Sequence, residues 1–312
     1  MPRFKRSVLL YNGQAGASTE DLILPKAVPA LARESYSLEL VQTHSREDFE
    51  QACKDRADSA DVLFIAGGDG TIHSAIQALD SSESSPVIGI LPSGTCNDFA
   101  RTLEIPLQLE QAAEALVNGD IKEVDTVSIN GKNFLNFAGI GLITDASLNI
   151  DPQLKERYGK LSYFMSALQS MRQSEPFPFK LEIDGVTHDE EAVLILVMNG
   201  KSIGTHSFPM SSIDPSDGLL DVFTVQTSSL AAVREWFSLA QPEVMPEELE
   251  HVTHFQGKHI SIHTEEEMDV DTDGEVYLTT PVEIAIQPKK LKMLVPRPLD
   301  SLEVDNLSPP SI

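Results

Sequence analysis

The pattern of apolar and polar positions changes character once along the chain. In the first part, short apolar runs alternate with amphipathic stretches. Residues 7–11 (SVLLY) read as an apolar strand that ends in the turn Asn12-Gly13. Residues 25–34 have a helical pattern, and residues 37–42 (SLELVQ) alternate as a strand. Ser45, with Asp48 three residues on, has the form of a capping box and opens a helix to about Ala60. Residues 61–66 (DVLFIA) and 87–91 (VIGIL) are near-continuous apolar runs, as strands covered on both faces are. A polar, glycine-bearing turn and a helix follow each of them, the first helix over residues 71–79. This βαβα order predicts a parallel sheet with helices on its faces.

Beyond residue 122 the pattern becomes one of strands. Residues 124–129 and 133–138 flank Asn130-Gly131, a strong hairpin signal. Further strand-like runs cover 179–183, 192–198, 219–225, 259–263, 276–278, 282–286 and 291–295, with helical stretches at 161–171 and 230–239. The expected fold class is therefore α/β plus β. Residues 1–126 form a Rossmann-like α/β domain, which the C-terminal segment 290–312 is placed to complete, and residues 127–289 form a β-sandwich. The tail after Pro296 is polar and proline-rich and is expected to be disordered.

Composition narrows the function. The chain has 312 residues, more than one average domain holds, and 41% of them are hydrophobic, which supports sizeable cores. It has 48 acidic and 23 basic residues, a formal net charge of −25. Nucleic-acid binding needs a basic footprint and is excluded, and constant adhesion to anionic lipid is disfavoured. The two cysteines, Cys53 and Cys96, make no disulfide framework or zinc spacing, and favour a reducing, cytoplasmic setting. The N-terminal apolar segment stops at Tyr11, too short for a signal peptide, and the longest apolar run, 192–198, is far short of a membrane span.

The sharpest local feature is Gly67-Gly68-Asp69-Gly70-Thr71, directly after a buried strand and before a helix. Glycines there allow close approach of a ligand and positive φ, and a helix N-terminus favours phosphate. Asp69 is either an ordinary helix cap or a group that works with a metal ion or a proton. A second loop, Leu91-Pro92-Ser93-Gly94-Thr95-Cys96-Asn97-Asp98-Phe99-Ala100-Arg101, also follows a buried strand. Two strand ends thus carry glycine and polar residues to one edge, where open α/β sheets bind ligands. Other nucleotide and hydrolase signatures fail. Gly200-Lys201-Ser202 lacks the upstream glycine of a Walker A loop, because position 196 is Leu196, and no G-x-G-x-x-G or G-x-S-x-G is present in a fitting context.

GGDGT at 67–71 followed by LPSGTCNDFAR at 91–101 resembles the diacylglycerol kinase catalytic-domain family, its soluble bacterial lipid kinases most. Three further segments agree in order. Tyr11-Asn12-Gly13-Gln14-Ala15-Gly16 resembles the opening N-P-x-S-G loop, Asp214 to Asp221 (DPSDGLLD) the D-G-x-x-D segment, and Asp273-Gly274-Glu275 the late D-G-E motif. The resemblance implies a two-domain, ATP-dependent lipid kinase with the lipid entering between the domains. It implies that Asn12, Thr43, Gly67, Gly68, Asp69, Gly70, Thr71, Ser74, Gly94 and Thr95 bind ATP. It implies that Asp273 is the catalytic carboxylate, with Asp69 and Glu275 beside it in catalysis. Asp69 and Asp125 would hold catalytic Mg²⁺ through water, and Asp217 with the carbonyls of Asp214 and Leu219 would form a structural metal site. Such chemistry needs a metal to neutralise phosphate charge and a base for the hydroxyl proton. Taken without the resemblance, Asp273-Gly274 and Asp217-Gly218 are plain turn signals and Asp125 is an ordinary strand-end acid.

The chain departs from the family at His73-Ser74, where Asn-Glu is usual, at Cys96, usually a small residue, and at Gly13, usually proline. Two alternatives to the lipid kinase stand: a kinase of a soluble hydroxyl compound, since NAD kinases have a related GGDG loop, though the late D-G-E motif speaks against it; and, given His73-Ser74, a nucleotide- or lipid-binding protein with weakened catalysis. Expected partners are ATP and a lipid reached at a membrane surface in brief contact, with no nucleic acid; homodimerisation is left open.

Three weaker features remain. His251, His254, His259 and His263 offer metal-binding side chains, but a hairpin accounts for them as well. Cys96 near a helix N-terminus is either redox-active or a small packed residue. The apolar stripe of Leu230, Val233, Trp236, Phe237 and Ala240 is either core or a lipid-facing lid. The acidity is uneven: residues 241–275 hold eleven acids and one base, Lys258, in the stretch that contains Asp273.

Overall fold

The computed structural model describes residues 1–12, 17–80, 86–141, 175–204, 206–207, 210, 213–238 and 249–298. The loop at 13–16, the helical stretch at 161–171 and the tail beyond residue 298 lie outside the described residues. The chain divides into two compact units. One is Met1–Gly94, Leu103–Glu123 and Leu291–Ile312; the other is Thr95–Thr102 and Val124–Lys290.

The first unit begins β1 (Phe4–Asn12), α1 (Ala17–Arg33), β2 (Ser35–Thr43), α2 (Arg46–Ala57), β3 (Val62–Gly67), α3 (Asp69–Leu79) and β4 (Val87–Pro92). After α4 (Asp98–Thr102), which belongs to the second unit, α5 (Leu109–Val117) returns to the first. The strands run parallel in the order β2-β1-β3-β4, and Lys292 and Met293 of the last strand add beside Val87 and Ile88 of β4. Every residue of β3 is buried, as its unbroken apolar sequence requires of a strand covered on both faces. Ser45 caps α2: its hydroxyl accepts the Asp48 N–H at 3.1 Å. Asp48 answers to the His44 N–H at 2.9 Å, one residue further out than a capping-box glutamate would reach.

Two elements differ from expectation. Pro25 does not start α1; the helix runs through Pro25 and Pro29 from Ala17. Its buried stripe of Ile23, Ala27, Ala30 and Leu31 is packed into the unit, and that burial outweighs the lost helix hydrogen bonds. Helix α5 was not expected at all. Its buried Ala112, Ala113, Leu116 and Val117 recur at helical spacing, a signal weakened by the alanines.

The second unit contains β5 (Asp120–Ile129, entering from the first), β6 (Lys132–Phe134), β7 (Phe137–Gly141), β8 (Phe177–Ile183), β9 (Val186–Ala192), β10 (Leu194–Met198), β11 (Ser202–Ile203), β12 (His206–Ser207) and β13 (Leu220–Val225). It continues with α6 (Leu230–Ser238), β14 (Val252–Gly257), β15 (His259–Thr264), β16 (Asp269–Thr272), β17 (Glu275–Thr279) and β18 (Val282–Val295). One antiparallel sheet has the order β14-β13-β10-β7-β16-β17. Strands β18, β15, β8 and β9 are neighbours in another, with β5 paired to β18 and β6. Apolar side chains from both sheets, among them Val127, Phe134, Ile140, Leu181, Ile195, Val222, Ile262 and Ile284, form the core between them. This is a β-sandwich.

Strand β10 explains the longest apolar run. Ile195 and Val197 face the inter-sheet core, while Leu194, Leu196 and Met198 face a second cluster with Phe223 and Trp236. Trp236 of α6 meets Phe223 edge-on, with ring centroids 5.8 Å apart, so its part of the helical stripe is core. The side chains of Leu230, Val233, Phe237 and Ala240 lie outside the described residues. The hairpin at Asn130-Gly131 forms with both residues at positive φ, 45° and 79°. The two strands expected at 282–286 and 291–295 are one, β18, carried across Pro288 and a positive-φ Lys289. No helix among the described residues is long and apolar enough to cross a membrane.

The first unit closes on Gly119. Arg3 donates to the carbonyls of Val117 at 3.0 Å and Gly119 at 2.6 Å, and a Cβ on Gly119 would overlap the Val295 carbonyl oxygen. Gly119→Ala should therefore destabilise the protein by about 1–3 kcal/mol, the cost of overpacking, measured by urea unfolding. In the open turn at Gly131, where nothing lies within 4 Å, alanine should meet only the strain of positive φ.

Candidate active site

The parallel strands bring four ends into line. Asn12 pairs with Thr43, Tyr11 with Ala66, and Gly67 with Pro92. From β1 the chain passes to β2 on one side, and from β3 to β4 on the other, so the sheet order reverses between β1 and β3. Ligands bind outside the carboxyl ends of strands at such a point. Here those ends are Asn12 and Gly67.

The glycines at this edge serve packing. None of Gly67, Gly68, Gly70 and Gly94 has positive φ, contrary to expectation; Gly68 is extended at φ −96°. A Cβ on Gly67 would overlap Thr71, and one on Gly68 would stand 3.0 Å from the Gly94 Cα. The Ser93 N–H donates to the Gly67 carbonyl at 3.1 Å. Bare backbone therefore lets the two strand-to-helix turns touch. The Gly68 carbonyl receives the N–H groups of Thr71 and Ile72, which starts α3 with Asp69 in its first turn. An acid there is favoured by the helix dipole.

The other expected nucleotide residues are less uniform. Gly70, Gly94 and Thr95 are exposed, but Gly94 ends the first unit while Thr95 begins the segment of the second. Thr43 is buried, and its hydroxyl donates to the Tyr11 carbonyl at 3.2 Å. Ser74 and His73 are buried in α3.

The second unit assembles around Asp273. It occupies a two-residue turn with Gly274 between β16 and β17, at φ +51°. Its carboxylate accepts three successive backbone N–H groups: Leu135 at 2.8 Å, Asn136 at 2.9 Å and Phe137 at 3.1 Å. This is why the strand expected over 133–138 splits into β6 and β7. Three consecutive N–H groups can converge on one anion only if the backbone leaves the strand conformation. Glu275 follows, exposed, at the start of β17. The segment has a second anchor that the sequence did not reveal. The Asn136 carbonyl accepts the N–H groups of Asn199 (2.8 Å) and Gly200 (2.9 Å), and its side-chain oxygen accepts the Thr102 hydroxyl at 3.0 Å. Nothing in the periodicity marks Thr102, Asn136 or Asn199.

Asp125 lies in β5. It is fully buried, and its two oxygens accept the N–H groups of Gly218 at 2.8 Å and Lys289 at 2.6 Å. In this setting it braces the backbone at Gly218 and Lys289. Asp214 and Asp217 share the loop before β13. Asp214 accepts the Ser216 hydroxyl at 2.6 Å, and Asp217 accepts the Leu219 N–H at 2.9 Å. Asp217 is exposed, but partial desolvation, then the neighbouring Asp221, Asp214 and Asp125, pushes its carboxyl above its ordinary range against the Leu219 hydrogen bond. Such crowding, with carbonyl oxygens at hand, fits a hard cation such as Mg²⁺ or Ca²⁺. Among the described residues no three His, Cys, Asp or Glu side chains group closely enough to hold a metal. A cation at Asp217 would thus depend on the carbonyls of Asp214 and Leu219 and on water.

The remaining candidates resolve into structure. His254 bonds Asp221 at 2.7 Å and stacks on Phe223 at 4.6 Å, while His259 and His263 are exposed on β15. Gly200 packs against Asn136, where a Cβ would overlap the amide oxygen. Cys53 and Cys96 are both free thiols. Burial pushes the Cys53 thiol up to about 12, which keeps it protonated.

Comparison with known proteins agrees with this architecture. Residues 6–129 match the diacylglycerol kinase catalytic domain, and residues 140–295 match the YegS C-terminal NAD kinase beta sandwich-like domain. A protein of Staphylococcus aureus strain JH9, named "putative lipid kinase", is 32% identical over 297 residues, covering 94% of this chain and 97% of that protein. A crystal structure of a "putative diacylglycerol kinase" from Bacillus anthracis str. Sterne superposes with a TM-score of 0.86 at 35% identity, over 95% of this chain and 98% of that one. A second such structure from the same organism gives 0.82 at 32% identity, with the same coverage. The switch-point turn, the sandwich and these matches along almost the whole length lead to one conclusion: the chain belongs to the diacylglycerol kinase catalytic-domain family of kinases.

Proposed function

We propose that the protein transfers the γ-phosphoryl group of ATP to the hydroxyl of a diacylglycerol-like lipid. The observation that carries this reading is the switch-point edge, where Asn12 and Gly67 end neighbouring strands and Gly68 and Gly94 bring bare backbone together at the N-terminus of α3. Backbone N–H groups and a helix dipole suit a polyphosphate. The relatives' names support a lipid acceptor.

In this reading Asp273 takes the proton of the lipid hydroxyl. The hydroxyl oxygen bonds to the γ-phosphorus, the bond from that phosphorus to its bridging oxygen breaks, and ADP leaves. The N–H donors of 135–137 fix the orientation of the carboxylate, and fixed geometry is most of what phosphoryl transfer asks of a protein. Mg²⁺ supplies neutralisation of phosphate charge. Asp69, at the turn itself, is the residue to hold it, since a bare carboxylate beside phosphate would repel. With a net charge of −25, contact with an anionic membrane is brief and serves substrate exchange.

The test is ATP consumption against a panel of diacylglycerol and related lipids, with NAD as a soluble acceptor. Lipid turnover is expected, and Asp273→Asn should lower kcat by about 10²–10⁴-fold. Phosphorylation of NAD without lipid turnover would replace this reading by the soluble-acceptor one. Asp217 yields a separate prediction. Its raised carboxyl pKa means that its ionisation opposes folding: the contribution is absent at low pH and appears as pH rises through the folded-state value. In EDTA at pH 7, Asp217→Asn should melt above the parent, and the two should converge below about pH 4. Added Mg²⁺ or Ca²⁺ should raise the melting temperature of the parent and leave Asp217→Asn unmoved.

A further inference from the structure

Asp273 does not hold its own position. Its carboxylate rests on the backbone of residues 135–137, and its own N–H returns to the Phe137 carbonyl at 3.1 Å. What decides where the carboxylate sits is therefore whatever fixes that segment from behind.

Three residues do so, all in the same unit. The N–H groups of Asn199 and Gly200 both donate to the Asn136 carbonyl. The Asn199 side-chain amide donates to the Leu135 carbonyl at 2.7 Å and reaches the Asp125 carbonyl at 3.5 Å. The Thr102 hydroxyl donates to the Asn136 side chain at 3.0 Å. Asn136 and its three supports are buried, with Thr102 at 4% exposure, Asn136 at 2% and Asn199 at 1%. Gly200 is pressed so closely on the Asn136 amide oxygen that no side chain fits there.

This arrangement costs something. The Asn199 side-chain oxygen is buried without a hydrogen-bond partner. An orphan acceptor of this kind is destabilising by about 1–3 kcal/mol, so folding stability alone does not favour asparagine there. Apolar residues of similar size would fill the space without the orphan, but they would not donate to Leu135. Strain and unpaired polar groups that persist point to a functional demand.

We propose that Thr102 and Asn199 are positioning residues for Asp273, acting through the Asn136 backbone and amide. The inference deepens the lipid kinase reading and rests on Asp273 as its base. Thr102 stands at the end of α4, in the short segment Thr95–Thr102 that leaves the first unit directly after Gly94. A single short segment therefore follows the turn at Gly68 and Gly94 and ends on the support of the proposed base.

The experiment compares Thr102→Val, Thr102→Ser, Asn199→Ala and Asp273→Asn in the full chain, with ATP and the lipid acceptor. Thr102→Val keeps the shape and removes the donor; Thr102→Ser keeps the donor. Thr102→Val and Asn199→Ala should lower kcat by about 10–100-fold, the effect of a carboxylate displaced by a fraction of an ångström to an ångström. The KM for ATP should stay within about twofold, and Thr102→Ser should restore most of kcat. Amide hydrogen exchange should speed up at residues 135–137 in Thr102→Val and Asn199→Ala while the melting transition stays cooperative. If both variants turn over at the parental kcat while Asp273→Asn is inactive, the positioning role is wrong and the base assignment stands. A rise in KM for ATP at unchanged kcat would likewise overturn the positioning role. If Asp273→Asn itself retains full activity, the base assignment fails first.

Discussion

A carboxylate wholly or partly taken out of water must be given hydrogen-bond donors, and this constraint shapes the second unit through the fully buried Asp125 and the half-buried Asp273. A buried charge without partners costs many kcal/mol. With 23 basic residues against 48 acidic ones, the chain has few cations to offer its buried acids. Asp221 is met by the side chains of His254 and Gln256, but two other acids are held by backbone N–H groups. Asp125 draws in Gly218 and Lys289, and Asp273 draws in Leu135, Asn136 and Phe137. Each acid therefore sets the path of chain segments far from it in sequence. The break between β6 and β7, the position of the loop before β13 and the irregularity of β18 at Lys289 all follow from where these two anions must be satisfied.

The first unit obeys a different constraint, close approach of backbone. Its sheet is held by apolar strands that could carry many kinds of turn at their ends. The particular turns present are possible because Gly67 makes room for Thr71 and Gly68 makes room for Gly94. The surface so formed is backbone at a helix N-terminus, with Asp69 in the first turn of α3. In the proposed function the first unit would hold a polyphosphate at this edge, and the second would hold Asp273 in fixed orientation as proton acceptor. Family membership joins the two as parts of one kinase.

Much of this was legible in the residues, for physical reasons that differ by element. Strands β3 and β4 were legible because burial on both faces leaves an unbroken apolar run, and the Asn130-Gly131 hairpin because few other dipeptides accept two positive φ angles. Strand β9 (VTHDEEA) was not, since it has few apolar residues and pairs through one edge, although Asp184-Gly185 before it is the same hairpin signal. Strand β16 (DVDT) is short and acidic and takes its conformation from neighbours on both sides. Among candidate site residues, the motifs brought Asp273, Asp69 and the glycines into view, and the structure gives each a setting: Asp273 in a turn on three backbone N–H groups, Asp69, Gly67 and Gly68 at a strand-to-helix turn. They did not show that the glycines work through close contact without positive φ, or that Asp125 is buried.

By itself the sequence determined two folded parts, the class of each, and the family chemistry, because apolar period and turn residues are local properties and the motifs are contiguous. Only the tertiary structure decided the strand order 2-1-3-4, which puts the reversal between Asn12 and Gly67. It alone assigned Thr95–Thr102 to the second unit and set Thr102, Asn136 and Asn199 behind Asp273. These are contacts between residues 34 to 138 positions apart, and a hydrogen bond at such separation leaves no period, spacing or composition by which the sequence alone could announce it.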